Sequence, residues 1–447
     1  MRTIRLYDML WVDIGETAIT LKFAESVSKS SVKPASITYP FDDSAREKVE
    51  EWVSNLLARA YEGSLPSKRF KVIINPFGGS RKAVSIFDNQ AKALFEAAHC
   101  KLDVEQTLHT QHAIEIAENL DIEAYDGVVC CSGDGVPHEV FNGLFKRSDA
   151  ARALSKIAVC QLPGGSGNAM CWNLTGTGSA SLATVAIIKA YLVVSTEGKR
   201  KPLDLISVTH GDCHIVSFLS QSFGMIAEVD LGTEHLRWMG DARFIAGLLQ
   251  RISKKSAYPC DIAVKVAIDN KASIRDHYRT PENENVRGAE ELLKLEYGTV
   301  NDPLPEDWSL IHGALMAWMS ADVNFFPAAK PNDGMFDLIC VDSALSRFKL
   351  TKTLLAVETG SHFDMPQVIC PHHSLVGVAI KSSSVVLKVD YKKIIAYRLI
   401  PHKREGVAEE YISIDGERIP FGPLQAEVHR GLATVLANGD RYEARGV

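Results

Sequence analysis

The segment Ser132-Gly133-Asp134-Gly135 sets a carboxylate between two glycines, directly after the apolar run Tyr125 to Cys131. A carboxylate at the end of a buried strand can accept a proton or orient a hydroxyl, and flanking glycines let another molecule approach the backbone closely. Two more glycine loops follow strand-like runs. Asn75-Pro76-Phe77-Gly78-Gly79-Ser80 comes after Phe70 to Ile74, and Leu162-Pro163-Gly164-Gly165-Ser166-Gly167-Asn168-Ala169 after Ile157 to Gln161. Backbone N–H groups in such loops, with the N-terminus of a following helix, bind phosphate oxygens. A single loop of this kind reads first as a tight turn. Three of them, one holding Asp134, outweigh that reading and point to a phosphate-binding crevice.

The elements around them alternate: strand Phe70 to Ile74, helix Val84 to Ala98, strand Leu102 to Thr107, helix Gln111 to Leu120, strand Val128 to Cys131, helix His138 to Phe145, strand Ile157 to Gln161. That order implies a parallel sheet wrapped by helices, with strand carboxyl ends on one edge so that the loops converge. Residues 1–65 hold strand-like Leu10 to Val12 and Ala18 to Phe23 and a helix-like Ser44 to Ala60, and read as an N-terminal extension without an evident role. Residues 66–203 form the expected nucleotide domain. From 204 to 447 short alternating segments (Leu205 to Val208, His214 to Leu219, Ile262 to Ile268, Val385 to Val389) predict a mainly antiparallel second domain, with a polar inserted loop over 269–307.

Composition narrows the class. At 447 residues, 46% hydrophobic and 23% charged, the chain has room for two or three cored domains. A net charge of -6 without a dominant basic block argues against a nucleic-acid partner. Nine cysteines show no CxxC pair or metal spacing, so reduced thiols, a cytoplasmic setting and no metal ligated by the protein alone are expected. Met1 to Phe23 lacks the apolar stretch of a signal peptide, and no run is long enough to span a membrane. The sequon Asn173-Leu174-Thr175 is read as a chance match. The chain holds no G-x-x-x-x-G-K-[ST], no full dinucleotide fingerprint, no protein-kinase HRD or DFG triplet and no G-x-S-x-G.

The motifs Asn75-Pro76-x-Gly78-Gly79, Ser132-Gly133-Asp134-Gly135-x-x-x-Glu139-x-x-Asn142-Gly143 and Leu162-Pro163-x-Gly165-Ser166-Gly167-Asn168 resemble the nucleotide-binding motifs of the diacylglycerol kinase catalytic-domain superfamily. Within it, Gly224 to Phe244 and Asp415-Gly416-Glu417 resemble the sphingosine kinases. The likeness runs from about Phe70 to the end. It implies an α/β N-terminal nucleotide-binding domain of Rossmann-like, phosphofructokinase-like type, a β-rich C-terminal lipid-binding domain, and ATP-dependent phosphorylation of a long-chain base at its primary hydroxyl.

Carried over residue by residue, the resemblance makes Asp134 the catalytic base. It sets Asn75, Pro76, Phe77, Gly78 and Gly79 against the nucleotide and Thr107-Leu108-His109-Thr110-Gln111 at its adenosine. Glu139, Gly165, Ser166 and Gly167 continue the ATP site, Arg237 and Arg243 face phosphates, and Asp415, Gly416 and Glu417 close it. Ser132, Gly133, Asp134 and Gly135 meet the acceptor, while Asp230 pairs with its ammonium. Two departures stand out: Phe77 where relatives commonly carry a basic residue, and His109-Thr110 in place of a more basic pair.

Neutralising γ-phosphoryl oxygens requires cations, so the two arginines named by the resemblance, Arg237 and Arg243, with Mg²⁺ beside Asp134 form a sufficient set; without the resemblance each arginine reads first as a solvated surface charge. On one ideal helix, at about 100° per residue, the two arginines would face apart, and Gly240 between them is a place for a break. Asp230 has a second reading as the N-cap of a helix starting near Leu231. Phe244 to Leu249, Trp318-Met319 and Phe325-Phe326 are candidates for an acyl pocket or for plain core, and His362 is read as structural. The partners expected are a long-chain base and, peripherally, an intracellular or plasma membrane surface; the sequence sets no oligomeric state. Ceramide or diacylglycerol as acceptor, an NAD kinase, and a non-catalytic lipid-binding scaffold are the competing readings.

Overall fold

In a computed structural model the described residues are 3–79, 81–190, 201–233, 242–254, 256–280, 302–304, 307–321, 323–369 and 389–437. They fall into two compact units, one reaching Pro202 and joined by the strand end from Thr434, the other spanning Leu203–Ala433.

The first unit opens with an antiparallel sheet of β1 (Met9–Ile14), β2 (Ala18–Ser28) and β3 (Ser31–Pro40), then helix α1 (Arg46–Tyr61). β3 is invisible to pattern reading because its polar residues do not alternate; its place is set by pairing with β2 from Ala18↔Pro40 to Ser28↔Ser31. The segment is no loose extension. Leu10, Val12, Leu21, Val53 and Tyr61 share one apolar core with Phe70, Val72, Leu94 and Ile187.

Two buried lysines tie the segment down. Lys189 Nζ donates to the carbonyl of Ala60 at 3.1 Å and to that of Met9, and sits 3.7 Å from the Tyr61 ring centroid. Lys68 donates to Ser64 Oγ at 3.0 Å and to the Ile188 carbonyl at 2.5 Å, and the Tyr61 hydroxyl donates to the Leu10 carbonyl at 2.7 Å. Burial against these neutral groups lowers Lys68 to about 8 and Lys189 to about 7. Each large apolar side chain here contributes about 1.5–3 kcal/mol, against a typical domain stability of about 5–15 kcal/mol. A chain lacking residues 1–62 is therefore expected to precipitate or to lose cooperative thermal unfolding; a soluble truncated chain melting like the full one would show the segment dispensable.

From Arg69 strand and helix alternate as expected. β4 (Arg69–Ile74) leads to α2 (Ala83–Ile86), a π-helical turn (Phe87–Ala91) and α3 (Lys92–Ala97). Then come β5 (Lys101–Gln106), α4 (His112–Glu118), β6 (Gly127–Ser132), α5 (Gly135–Lys146), α6 (Ala150–Lys156), β7 (Ala158–Pro163), α7 (Ala169–Thr175) and α8 (Ala180–Lys189). The strands are parallel in the order β5-β4-β6-β7, and Thr434 and Val435 pair parallel with Ala158 and Val159 on β7. β6 and β7 are buried along their length, so their sequences read as near-continuous apolar runs, interrupted in β7 by Gln161. β4 has β5 on one side and β6 on the other, so the strand order reverses there and the loops leaving β4 and β6 open at a topological switch point. Cys130 and Cys131 lie inside β6 as buried thiols, with burial pushing Cys131 up to about 12.

The second unit is built on long antiparallel strands, chiefly Lys201–His210, Ser220–Gly224, Tyr258–Ile268, Asp307–Ala314, Phe336–Asp342, Val389–Pro401 and Leu424–Val435. Among the described pairings in this unit, only Val368–Ile369 with Val389 and Asp390 is parallel. Part of the expected inserted loop is ordered: Lys271–Arg279 is a helix capped by Asn270, whose Oδ1 accepts the Ser273 N–H at 2.7 Å. Residues 281–301, and Val385 to Lys388 of one expected strand, lie outside the described residues.

Candidate active site

The three glycine loops of the first unit touch one another. A Cβ on Gly165 would stand 2.4 Å from Gly133 Cα, and one on Gly79 would stand 3.0 Å from Gly165 Cα. A Cβ on Gly164 would meet Ser132 N at 3.1 Å. Glycine is required here because backbone packs on backbone, and at Gly79 also because φ is +53°. Side chains hold each loop's shape. Asn75 Oδ1 accepts the N–H groups of Phe77 at 2.9 Å and Gly78 at 3.1 Å. Asn168, itself at φ 51°, accepts the Gly165 N–H and donates to the Gly165 carbonyl, both at 2.8 Å.

Asp134 stands at the N-terminus of α5, partly exposed where these loops meet. Its carboxylate accepts the backbone N–H groups of Ala169 and Met170, each at 3.0 Å, and the Gln161 side-chain amide at 3.3 Å. The buried Gln161 also donates to the Ser132 carbonyl at 3.3 Å and accepts the Cys171 N–H at 2.8 Å. Asp134 is thus fixed in direction by the third loop and its helix. Gln161, which sequence reading took only for the end of a strand, is a positioning residue.

Contact between Gly165 and Gly133 changes the reason for a glycine there. A branched side chain would meet the second loop's backbone before it met any ligand. Gly165→Val is expected to part the loops, costing about 1–3 kcal/mol of stability or more by overpacking together with ATP affinity, as read by a thermal melt and nucleotide titration. An unchanged melt with unchanged affinity would contradict this packing.

Glu139 is turned to the backbone of the next loop: its carboxylate accepts the N–H of Gln111 at 3.2 Å and of Ala113 at 3.1 Å. It thereby fixes Thr107 to Gln111, where Gln111 adopts φ 67°. Thr107 is buried and its N–H donates to the Ile74 carbonyl at 2.9 Å, whereas Leu108 is 73% and Phe77 64% exposed. Ser166 is exposed, with Gly167 and Gly135 partly so. His109, His112 and Glu115 bring potential ligand atoms within 4.8 Å, but His112 Nδ1 already accepts the Leu108 N–H at 3.2 Å.

In the second unit, Asp230 lies inside the helix Met225–Gly232, near its end, so it is not the N-cap of a helix starting at Leu231. One oxygen accepts the Ser413 hydroxyl at 3.1 Å. Asp415 and Gly416 form the two-residue turn between Ile412–Ile414 and Glu417–Ile419, at φ 53° and 84°. The Asp415 carboxylate is buried and bound at home: it accepts the Ser217 hydroxyl at 2.7 Å and the N–H groups of Phe218, Leu219 and Ser220 at 2.9–3.0 Å. Glu417 is exposed. Arg237 and Gly240 lie outside the described residues, as does the side chain of Arg243 in the helix Ala242–Lys254. Of the acyl-pocket candidates, Trp318, Phe325 and Phe326 are buried and Leu249 is 55% exposed. A void of about 10 Å³ beside Phe223, Ile311, Phe336 and Tyr397 has room for one water and not for an acyl chain. His362 is core, its Nε2 2.9 Å from the Phe325 carbonyl, with burial lowering it to about 4.

The profile of the diacylglycerol kinase catalytic domain matches residues 69–208, and that of a domain of unknown function matches residues 1–62. A putative diacylglycerol kinase from Bacillus anthracis str. Sterne shares the fold at a TM-score of 0.54 and 15% identity, covering 84% of this chain and 99% of that one. "Sphingoid long chain base kinase 4" of Schizosaccharomyces pombe is 30% identical over 438 residues, covering 96% of this chain and 87% of that protein. The chain belongs to the sphingoid long-chain base kinase family. "Sphingoid long chain base kinase 5" of Saccharomyces cerevisiae is 32% identical over 470 residues, covering 90% of this chain, which spans 64% of that longer protein.

This family member also carries an ionic core that no motif announces. Glu228, two residues before Asp230, accepts the Tyr258 hydroxyl at 2.5 Å, pairs with Arg251 Nε at 3.2 Å and bonds to Arg404. Arg404 lies 4.1 Å from the Tyr258 ring centroid and donates to Glu410 at 2.7 Å. The network pins the helix of Asp230 to the strand starting at Tyr258, the helix of Arg251 and the loop of Arg404. Its members are too scattered along the chain for spacing to reveal it.

Proposed function

We propose that the chain transfers the γ-phosphoryl group of ATP to the primary hydroxyl of a sphingosine- or sphinganine-type long-chain base, giving the 1-phosphate. The observation that carries the reading is Asp134, a carboxylate aimed by Ala169, Met170 and Gln161 at the meeting point of three backbone-lined loops. Membership of the long-chain base kinase family supports it.

In this reading Asp134 orients the attacking hydroxyl and takes its proton, while Ser132, Gly133 and Gly135 border the acceptor. Asn75, Pro76, Gly78, Gly79, Gly165, Ser166 and Gly167 approach the phosphates through backbone; Phe77, Leu108, His109 and Thr110 lie against the nucleoside. Glu139 serves by holding that last loop, and Asp415 by holding the turn beneath Gly416 and Glu417. Arg237 and Arg243 would neutralise phosphate charge. Mg²⁺ fits this donor set, because it is held largely by nucleotide phosphates and water with one or two carboxylates; when bound it neutralises developing charge, with Asp134 the carboxylate offered here. Residues 66–203 would bind ATP and 204–447 the lipid. Among the described residues no helix is long and apolar enough to cross a membrane; a cytoplasmic protein that meets its lipid peripherally fits that.

Asp230 favours a cationic acceptor over ceramide or diacylglycerol, neither of which has an amine. Labelled ATP with a panel of sphingoid bases, ceramide and diacylglycerol tests this. Label in the bases is expected; label confined to ceramide or diacylglycerol would replace the acceptor, and label in none would favour a non-catalytic lipid-binding protein.

A further inference from the structure

The helix Arg347–Leu355 of the second unit turns its apolar residues both ways. Leu350 and Leu354 are buried, while Phe348 and Leu355 are 79% and 73% exposed. At about 100° per residue Phe348 and Leu355, seven apart, lie on one line along the helix, opposite Leu350 and Thr353. Two large apolar side chains standing in water on one helix face is uncommon without an occupant for that face.

The charges around them say which occupant. Arg347, Lys349 and Lys352 are exposed, Lys352 rises between the two apolar residues, and none of the three is ion-paired among the described residues. The N-terminus is closed by Ser346, whose Oγ accepts the Lys349 N–H at 3.3 Å, so the helix is formed in the free protein and needs no partner to fold it. Apolar side chains able to enter an acyl boundary, ringed by cations level with headgroups, are the features of an interfacial helix that docks on anionic lipid.

We infer that the exposed face of Arg347–Leu355 seats the protein on an anionic bilayer, with Phe348 and Leu355 inserted and Arg347, Lys349 and Lys352 on the headgroup phosphates. The inference rests on the proposal of a membrane-borne substrate and names the surface that reaches it. It places no residue of this face in catalysis.

Vesicle sedimentation tests it, with phosphatidylcholine alone or mixed with phosphatidylserine, alongside phosphorylation of a sphingoid base supplied in detergent micelles. The wild-type chain is expected to sediment with the mixed vesicles and to be released by high salt. Phe348→Ser with Leu355→Ser, and separately Lys349→Glu with Lys352→Glu, should each weaken vesicle binding about tenfold or more, with micellar activity and the thermal melt unchanged. Wild-type protein that phosphorylates micellar base but ignores anionic vesicles would overturn the inference alone. Variants that sediment like wild type would overturn it too, including where they differ only by having lost self-association on a sizing column. Absence of base phosphorylation would overturn the functional proposal, not this surface.

Discussion

Asp134→Asn is expected to lower kcat by about 10²–10⁴, the worth of a positioned general base, while ATP still binds. The substitution is not silent structurally. Asp134 serves two backbone N–H groups, those of Ala169 and Met170, with two oxygens, and Asn offers only one oxygen while its NH₂ faces the other N–H. The lost bond is expected to cost about 1–3 kcal/mol, so the melt should fall modestly without collapse. Turnover must therefore be measured below the variant's own melting range. Near wild-type kcat in folded protein would remove Asp134 from the reaction; a large kcat loss with ATP affinity kept would place its contribution in the transfer step.

Asp230→Asn is expected to raise KM for sphinganine or sphingosine about 30-fold or more, since removing one partner of a shielded charge pair costs about 2–5 kcal/mol. KM for ATP should hardly move. The structure sharpens this test. Asp230 sits near the C-terminal end of its helix, where the macrodipole disfavours an anion. Asn keeps an oxygen for the Ser413 hydroxyl now 3.1 Å away, and a thermal melt run beside the kinetics separates a loss of binding from a loss of fold. Normal kinetics for the base in a stable variant would end the head-group role and reopen the choice among lipid acceptors.

The parallel sheet and its three loops were legible because both signals are local. β6 and β7 are near-continuous apolar runs, and each leads into glycines whose neighbours recur in the family motifs. What escaped was set by long-range contact. β3 has polar residues and owes its place to β2; Lys68 and Lys189 reveal nothing in sequence of the carbonyls they meet; Glu228, Tyr258 and Arg404 come together only through tertiary folding. At the site, residue types were readable and their partners were not. Glycine at 165 was assigned to ligand approach, and the nearest obstacle is Gly133. Asp415-Gly416-Glu417 was legible as a family motif, yet the Asp415 carboxylate's four hydrogen bonds to residues 217–220 lie almost two hundred positions upstream. Gln161 had no signal, because a buried glutamine at a strand end looks like any other until Asp134 is seen beside it.

The claim that everything else depends on is transfer of the γ-phosphoryl group to a primary hydroxyl of a long-chain base. Purified chain incubated with γ-labelled ATP and sphinganine, with the lipid product identified by mass spectrometry, tests it directly. Labelled sphinganine 1-phosphate is the predicted result, absent with Asp134→Asn. Unlabelled lipid, or label on the secondary hydroxyl, would contradict it.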